Sequence, residues 1–430
     1  MTPGSSFARP LILSGADVVL PDRVLSPGTV VVEDGRVTEI ETGARPAGSG
    51  GGAAGHVDLH GHTLVAGFID VHVHGVLGFD VLESADAVEE VARRLPRFGV
   101  TAFCPTSVAC SPADLERLIE SMRRARASAH PVARVLGAHL ESNFINPDYR
   151  GAQPLECLRL PPRFGLDGKV AGPAVAEARA SAAPGGYSGA DVLKVIEAHR
   201  RDVGIVTLAV ELDGGLDLAR ALVAAGHRVS LGHSGATYEQ ALAGIEAGAR
   251  HATHLYNRMS PMTHRTPGLV GAVLAAEEIA TEIICDGHHV HPAVATLAIR
   301  AKRVERTMAI TDGTGGAGLP VGSTVTLGGR AVRVTETACY LEDGTLAGSR
   351  LTMDGAFRNL IAQGFTLVEA SRLCSGTQAH ELGLAGQGVV APGALADLVA
   401  LDRRLQVAAT FIGGAPAWSA ASAGAGGATA

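Results

Sequence analysis

The chain has 430 residues, 46% of them hydrophobic and 18% charged, enough apolar material for a large core and too long for one ordinary small domain. Its formal net charge of −7 leaves no basic field for nucleic acid. No apolar stretch reaches the ~20 residues needed to span a bilayer, so no membrane role is expected. The segment Met1 to Pro10 lacks a basic stretch followed by an apolar run, and a cytoplasmic protein is expected. Cys104, Cys110, Cys157, Cys285, Cys339 and Cys374 show no CxxC pair and read as reduced, mostly buried thiols.

Residues 11–65 carry short β patterns, Leu11 to Leu13, Asp17 to Leu20, Thr29 to Val32 and Arg36 to Ile40, punctuated by Pro-Asp, Pro-Gly and Asp-Gly turns. The Gly- and Ala-rich run from Pro46 to Gly55 reads as a flexible loop inside this unit. A second β patch follows near the other end, in Gly386 to Gly393, Ala396 to Asp402 and Ala408 to Gly414. The two patches are expected to form one small β-sandwich, 1–65 with 386–418, and residues 419–430 to be a disordered tail.

Between them strand and helix alternate. Strands are predicted at Thr63–Val71, Val100–Cys104, Arg134–Leu140, Gly204–Val210, Arg228–Gly232, Arg250–His254, Thr281–Cys285 and Thr307–Thr311. Segments such as Pro112–Ala127, Gly215–Ala225 and Tyr238–Ala247 have helical spacing. Repeated βα units favour a (β/α)₈ TIM-type barrel over residues 66–385, with an open doubly wound sheet as the other α/β arrangement.

A barrel places its chemistry at the C-terminal ends of its strands. His72 and His74, two apart at the end of the first strand, point the same way and suit a metal ion. Strand three runs into His139-Leu-Glu141, strand five ends in His233, strand six in His254 and strand eight in Asp312. Imidazoles and carboxylates are the side chains of hydrolytic metal sites, and satisfied core histidines would not select the same end of strand after strand. His56, His60 and His62 precede strand one and read as structural.

The segments AGFIDVHVHG, GAHLE, VTLAVE, LGHSGAT, THLYNRM, TPGLVGAVL, CDGHHVHP, ITDGTGGAG and LAGSRLTM run from Ala66 to Met353. In them the chain resembles the amidohydrolase superfamily, and within it the N-acetylglucosamine-6-phosphate deacetylase family. The resemblance implies a metal-bearing barrel with a β-sandwich from both termini. It implies Glu141, His233 and His254 as the principal metal ligands, with His72 and His74 at a second position that some members keep. Strand four, ending Ala209-Val210-Glu211, offers no lysine to bridge two metals, which leaves Glu141 as the anchor. Asp312 matches the catalytic aspartate, and Asn257 and His289 match substrate contacts. Arg265 matches a residue that reaches the phosphate of a neighbouring subunit's substrate, which implies a homodimer. The implied cofactor is a divalent metal, zinc foremost with Fe, Mn or Co open, one or two per subunit. The implied substrate is a phosphorylated N-acetyl amino sugar, and the implied products are acetate and the amino sugar phosphate.

Three departures stand out. Where many relatives read HLEGP, this chain reads His139-Leu-Glu-Ser-Asn143, without the rigid Gly-Pro turn. Arg150-Gly-Ala-Gln153 aligns with a relative's KGTH, so Gln153 stands where a histidine polarises the substrate carbonyl; a second metal at His72 and His74 is the expected replacement for that electrophile. Arg258 follows Asn257 where relatives often have alanine, and it either strengthens phosphate binding or marks a different anionic substrate. The alternative to the deacetylase is a diverged amidohydrolase acting on another N-acylated or cyclic amide, or a non-catalytic sensor, which would have no use for Asp312.

Overall fold

In the computed structural model, the described residues are 10–46, 55–128, 130–165, 168–173 and 186–425. The parallel strands are β1 (Phe68–Val73), β2 (Val100–Ser107), β3 (Ala138–Glu141), β4 (Val203–Leu208), β5 (Arg228–Leu231), β6 (His251–Ala252), β7 (Ala280–Ile284) and β8 (Thr307–Ile310). The sheet has nine hydrogen-bonded segments, and one of them, Arg134–Val135, lies end to end with β3 on the same position, which leaves eight. β8 returns to β1 through a parallel bridge between Val73 and Gly313, and the N–H of Asp312 donates to His72 O at 2.9 Å. The barrel expected from the alternation is therefore present.

A helix follows each strand: α1 (Ala87–Arg94), α2 (Pro112–Arg126), α3 (Gly189–Ala198), α4 (Gly215–Ala224), α5 (Tyr238–Glu246), α6 (Gly268–Ala275), α7 (Pro292–Lys302) and α8 (Met353–Ala362), the last with two short helices, Leu367–Ser371 and Thr377–Glu381, after it. Local chemistry sets their starts. The Ser111 hydroxyl caps α2 by accepting the Asp114 N–H at 3.2 Å, ahead of a proline whose missing N–H costs nothing there. Leu115, Leu118, Ile119 and Met122 then recur at helical spacing and bury one face against the barrel. Thr237 and Gln240 cap α5 reciprocally.

The predicted strand Thr63–Val71 is two strands. Thr63–Ala66 pairs with Leu11–Val19 and Leu398–Leu401 in a separate sheet, and Gly67 passes the chain over to β1. A Cβ on Gly67 would lie 2.2 Å from Thr101 Oγ1, so only glycine lets the chain cross this close to β2. The run reads as continuous because both halves are buried on both faces.

That separate sheet has eight strands drawn from both ends of the chain: Leu11–Val19, Val24–Glu33, Arg36–Thr42, Gly55–Asp58, Thr63–Ala66, Leu398–Leu401, Val407–Ile412 and Ala415–Ser419. Alternation divides its central strands between two cores. Leu64, Ala66, Leu398 and Ala400 face the sheet's own interior, whereas Val65, Val399 and Leu401 pack into the barrel's apolar shell.

Gly386 to Gly393 forms no strand: Gly386, Gly388 and Gly393 all hold left-handed backbone, which breaks a ladder. In the expected tail, Ser419 ends a strand and Ala420–Ala425 is helical, alanine being the strongest helix former; 426–430 lie outside the described residues, as do 47–54 of the expected flexible loop. A three-stranded antiparallel insertion between β8 and α8, Thr324–Leu327, Arg330–Val334 and Cys339–Leu341, packs on Val108 beside the barrel mouth. No described helix is long and apolar enough to cross a membrane.

Candidate metal centre

The polar residues expected at the strand ends converge there. Glu141 closes β3, His233 follows β5 and His254 follows β6, and Glu141 Oε1 lies 2.6 Å from His233 Nε2 and 2.8 Å from His254 Nε2. His72 and His74 come in from β1 with their Nε2 atoms 3.3 Å apart, and His74 Nε2 lies 3.5 Å from Glu141 Oε2. Asp312, just past β8, puts Oδ1 at 3.3 Å from His74 Nε2 and 3.5 Å from His72 Nε2. All six are buried.

Backbone conformation turns three of them inward. His233, His254 and Asp312 hold φ of 48°, 30° and 48°. Left-handed backbone is uncommon for such residues and costs of order 1–3 kcal/mol each, so it persists where the surrounding structure imposes it. Here it bends the chain sharply off each strand and aims the side chain at the barrel axis.

The histidine tautomers follow from their partners. His74 Nδ1 lies 2.9 Å from Thr106 O and His233 Nδ1 2.8 Å from Tyr149 O. Carbonyls only accept, so each Nδ1 carries a proton, and in the neutral ring each Nε2 offers a lone pair. His72 Nδ1 donates to the Glu282 carboxylate at 2.8 Å with the same result. With no proton on Nε2, the lone pairs of His72, His74 and His233 face one another and the Glu141 oxygens at 2.6–3.5 Å, which repels unless protons or a metal ion lie among them. Among the described residues, Glu141 with His233 and His254, and His72 with His74 and Glu141, each bring one ligand atom apiece into a common cluster. The residues fit a divalent ion at the first set and a second ion at the other.

Burial pushes the Glu141 carboxyl up, but the charge and hydrogen bond of His233, the hydrogen bond of His254 and the charge of His72 outweigh this and hold it well below the usual range. Burial likewise raises Asp312, and the hydrogen bond from His74 and the charge of His72 bring it below its ordinary value. Below the site, His139 gives its Nδ1 proton to Val71 O at 2.9 Å and accepts from the Thr207 hydroxyl at 2.8 Å. Burial drives it down to about 3, so it stays neutral and braces β3.

The pocket above is lined by His74, Glu141, Gln153, His233, His254, Asn257, Arg258, His289 and Asp312. Leu327, from the insertion, and Leu346 to Gly348 close one wall. Gln153 donates to Glu141 Oε2, and its carbonyl accepts the Ala109 N–H at 2.7 Å. Asp286 Oδ2 accepts from His289 Nδ1 at 2.6 Å, and His289 Nε2 is buried without a protein partner. Burial lowers His289, the bond to Asp286 outweighs it, and the ring ends above its ordinary range. Arg258, at φ 52°, lies over Gly151 at the rim, where a Cβ on Gly151 would come 2.7 Å from its Nε. Arg265 is exposed and outside this pocket.

The turn after Glu141 is rigid without Gly-Pro. The Asn143 amide donates to Cys110 O and Cys157 O, both at 2.7 Å, and the Ser142 hydroxyl donates to Thr207 O. Glu282, whose signal in the sequence is a lone carboxylate inside a buried strand, and His251 complete the layer below the site, both fully buried. A larger cleft at the opposite end of the barrel, lined by Val19, Val368 and Val390, contains none of these groups.

A model of the amidohydrolase family matches residues 63–417. The chain belongs to the amidohydrolase family. Within it, the chain falls among the N-acetylglucosamine-6-phosphate deacetylases and their kin, all hydrolases of N-acetyl amides. An N-acetylgalactosamine-6-phosphate deacetylase of Escherichia coli O157:H7 is 35% identical, covering 82% of this chain and 86% of that protein. An N-acetylglucosamine-6-phosphate deacetylase of Rattus norvegicus is 34% identical over 99% of this chain and 98% of its own. Among solved structures, a mutant N-acetyl-D-glucosamine-6-phosphate deacetylase of Mycobacterium smegmatis in complex with N-acetyl-D-glucosamine-6-phosphate is 30% identical. It superposes with a TM-score of 0.81, covering 96% of this amidohydrolase and 100% of that chain.

Proposed function

We propose that this amidohydrolase removes the acetyl group from an N-acetyl amino sugar 6-phosphate, giving acetate and the amino sugar phosphate. The observation that carries the reading is Asp312, a buried carboxylate 3.3 Å from a histidine of the ligand cluster, facing the same pocket as Glu141, His233 and His254. A sensor or storage site has no use for a proton acceptor at that position.

Glu141, His233 and His254 would hold one divalent ion, and His72 and His74 with Glu141 a second. Zinc is the first candidate, with Fe, Mn and Co suited to the same nitrogen and oxygen donors. When bound, such an ion polarises the amide carbonyl and lowers the pKa of water towards neutrality. Asp312 takes the proton from the attacking water on its carboxylate and delivers it to the departing amine nitrogen. Its depressed affinity for protons leaves it ionised and ready to accept. His289, held by Asp286, presents its free Nε2 to the substrate, and the Asn257 amide stands beside it. Gln153 fixes Glu141, so in this chain it acts on the ligand cluster as well as facing the carbonyl.

Arg258 at the rim supplies the cationic group for the phosphate within one chain. Arg265, exposed and off the pocket, reaches a substrate only in a second copy, which is the basis for proposing a homodimer.

The choice of hexosamine stays between two isomers, because relatives of both specificities match at 31–35% identity. Measuring primary amine release from N-acetylglucosamine and N-acetylgalactosamine, each with and without a 6-phosphate, separates them. No turnover of either phosphorylated sugar would overturn the proposal.

A further inference from the structure

Glu282 lies in the middle of β7, one layer below the ligand cluster, and is fully buried. A carboxylate without solvent costs several kcal/mol unless its oxygens are matched by donors, so its position in a fully buried strand requires a reason. Its neighbours supply one. Oε2 accepts the Nδ1 proton of His72 at 2.8 Å and the backbone N–H of His254 at 3.2 Å. Oε1 lies 3.2 Å from His251 Nε2 and 3.5 Å from His139 Nδ1. One carboxylate therefore ties together a histidine of the first strand and the backbone of a histidine that follows the sixth.

The grip on His72 is selective. His74 and His233 have their Nδ1 protons fixed by backbone carbonyls, which would hold those rings whatever side chains stood nearby. Among the described histidines of the two ligand sets, His72 is the one whose Nδ1 is held by a side chain, and His254 Nδ1 has no hydrogen-bond partner. Without Glu282 its Nδ1 has no acceptor at this distance, and the ring is free to turn or to carry its proton on Nε2, where it no longer offers a lone pair. Charge acts in the same direction, since a carboxylate behind a metal-binding imidazole raises its basicity. His139 does not compete for this role, as its Nδ1 proton already goes to Val71 O at 2.9 Å.

We infer that Glu282 is a positioning residue that creates the second metal position: by orienting the His72 ring it makes the His72–His74 pair able to bind an ion, while it reaches the Glu141–His233–His254 position only through the His254 backbone N–H and orients none of that set's side chains. The inference rests on the proposed two-ion reading of the site. It also explains a contrast within the pair itself, His74 held by the main chain and His72 by a single buried acid.

The test is titration of metal-free full-length protein with Co²⁺, followed by visible absorbance and by metal content after desalting, for wild type, Glu282→Gln and Glu282→Ala. Wild type is expected to take up two equivalents. Both variants are expected to take up one, with the Co²⁺ spectrum of the retained site unchanged, and their affinity for the second equivalent is expected to fall at least tenfold, within the 10–100-fold typical of residues that orient a ligand. Glu282→Gln keeps the side-chain volume and separates lost charge from a cavity if the alanine variant folds poorly. Two equivalents of wild-type affinity in both variants would overturn the role of Glu282 alone. A single equivalent in wild type would overturn the two-ion reading and this inference with it, and would leave the deacetylase proposal to the amine-release assay.

Discussion

Gln153 donates its side-chain amide to Glu141 Oε2 while its carbonyl oxygen accepts the Ala109 N–H at 2.7 Å, so one amide joins the loop after β2 to the carboxylate shared by both ligand sets. Both ends of that bridge are buried. Gln153→Ala strips a donor from Glu141 and leaves the Ala109 N–H unpaired, a loss of about 1–3 kcal/mol for the buried group alone. Metal affinity measured by chelator competition is expected to fall roughly 10–100-fold. Unchanged affinity with reduced turnover would place Gln153 on the substrate alone.

Asp312→Asn preserves shape and removes the proton acceptor. The rate of amine release at saturating substrate is expected to drop by roughly 10²–10⁴, the usual contribution of a positioned acid–base group. Metal content should stay at the wild-type value, because Glu141, His233 and His254 are intact. Loss of metal in step with activity would make Asp312 chiefly a ligand.

Phosphate recognition divides between two arginines. Arg258 lines the pocket and Arg265 does not. Arg258→Ala is expected to raise KM for the 6-phosphate sugar by roughly 10–100-fold, the worth of about 1.5–3 kcal/mol for a hydrogen bond to a charged group, and to leave the unphosphorylated sugar unaffected. Arg265→Ala should have the same selective effect only if a second copy supplies it. Specific activity of the wild type should then fall on dilution, and mixing Arg258→Ala with an inactive Asp312→Asn chain should leave KM high.

The barrel was legible because most of its strands are short, largely apolar runs followed by a helical stripe, and the ligands because they recur at the same end of successive strands. What lay below that layer was not. Glu282, Asp70 and Thr207 sit inside strands whose neighbours are Ile, Val and Leu, and a single chain gives no sign that polar side chains share one interior. Asp70 accepts from the Thr311 hydroxyl at 2.5 Å, and burial carries its carboxyl up to about 6, a pairing 241 residues apart in sequence. The insertion at Thr324–Val334 did carry a signal, alternating residues either side of Gly328-Gly329, which is a hairpin pattern. The boundary at Gly67 had none, since glycine there answers to Thr101 across the sheet.

That contact gives a stability test. A methyl group on Gly67 would meet Thr101 at Oγ1, Cγ2 and Cβ, at 2.2, 2.3 and 2.7 Å, and rotating the threonine cannot clear its own Cβ. Thr101 is itself buried, so the strain passes into the junction between the two sheets. Gly67→Ala is expected to destabilise the protein by about 1–3 kcal/mol, the typical cost of overpacking, read by calorimetry on the metal-free chain. Wild-type stability would mean that the crossing can widen at no cost.

A pH dependence separate from the metal site comes from His227. Its ring is buried at the end of α4, Nδ1 lies 3.0 Å from Val203 O, and Nε2 has no partner in the structure. Burial holds its pKa below the ordinary value, and the bond to Val203 offsets only part of this. The folded chain therefore keeps His227 neutral at a pH where the unfolded chain, with a pKa of about 6.5, has begun to bind a proton. Between those two values the unfolded state carries more protons, so stability falls as pH falls. The contribution is complete above the unfolded value and is lost progressively below it, down to the depressed folded value. His227→Asn cannot titrate in this range. The difference in melting temperature between wild type and His227→Asn, both metal-free, is expected to be constant from pH 8 to 7 and to shift against wild type as the pH drops from 6.5 to 5. A difference that does not change across that interval would show that His227 gains a proton without cost in the folded chain.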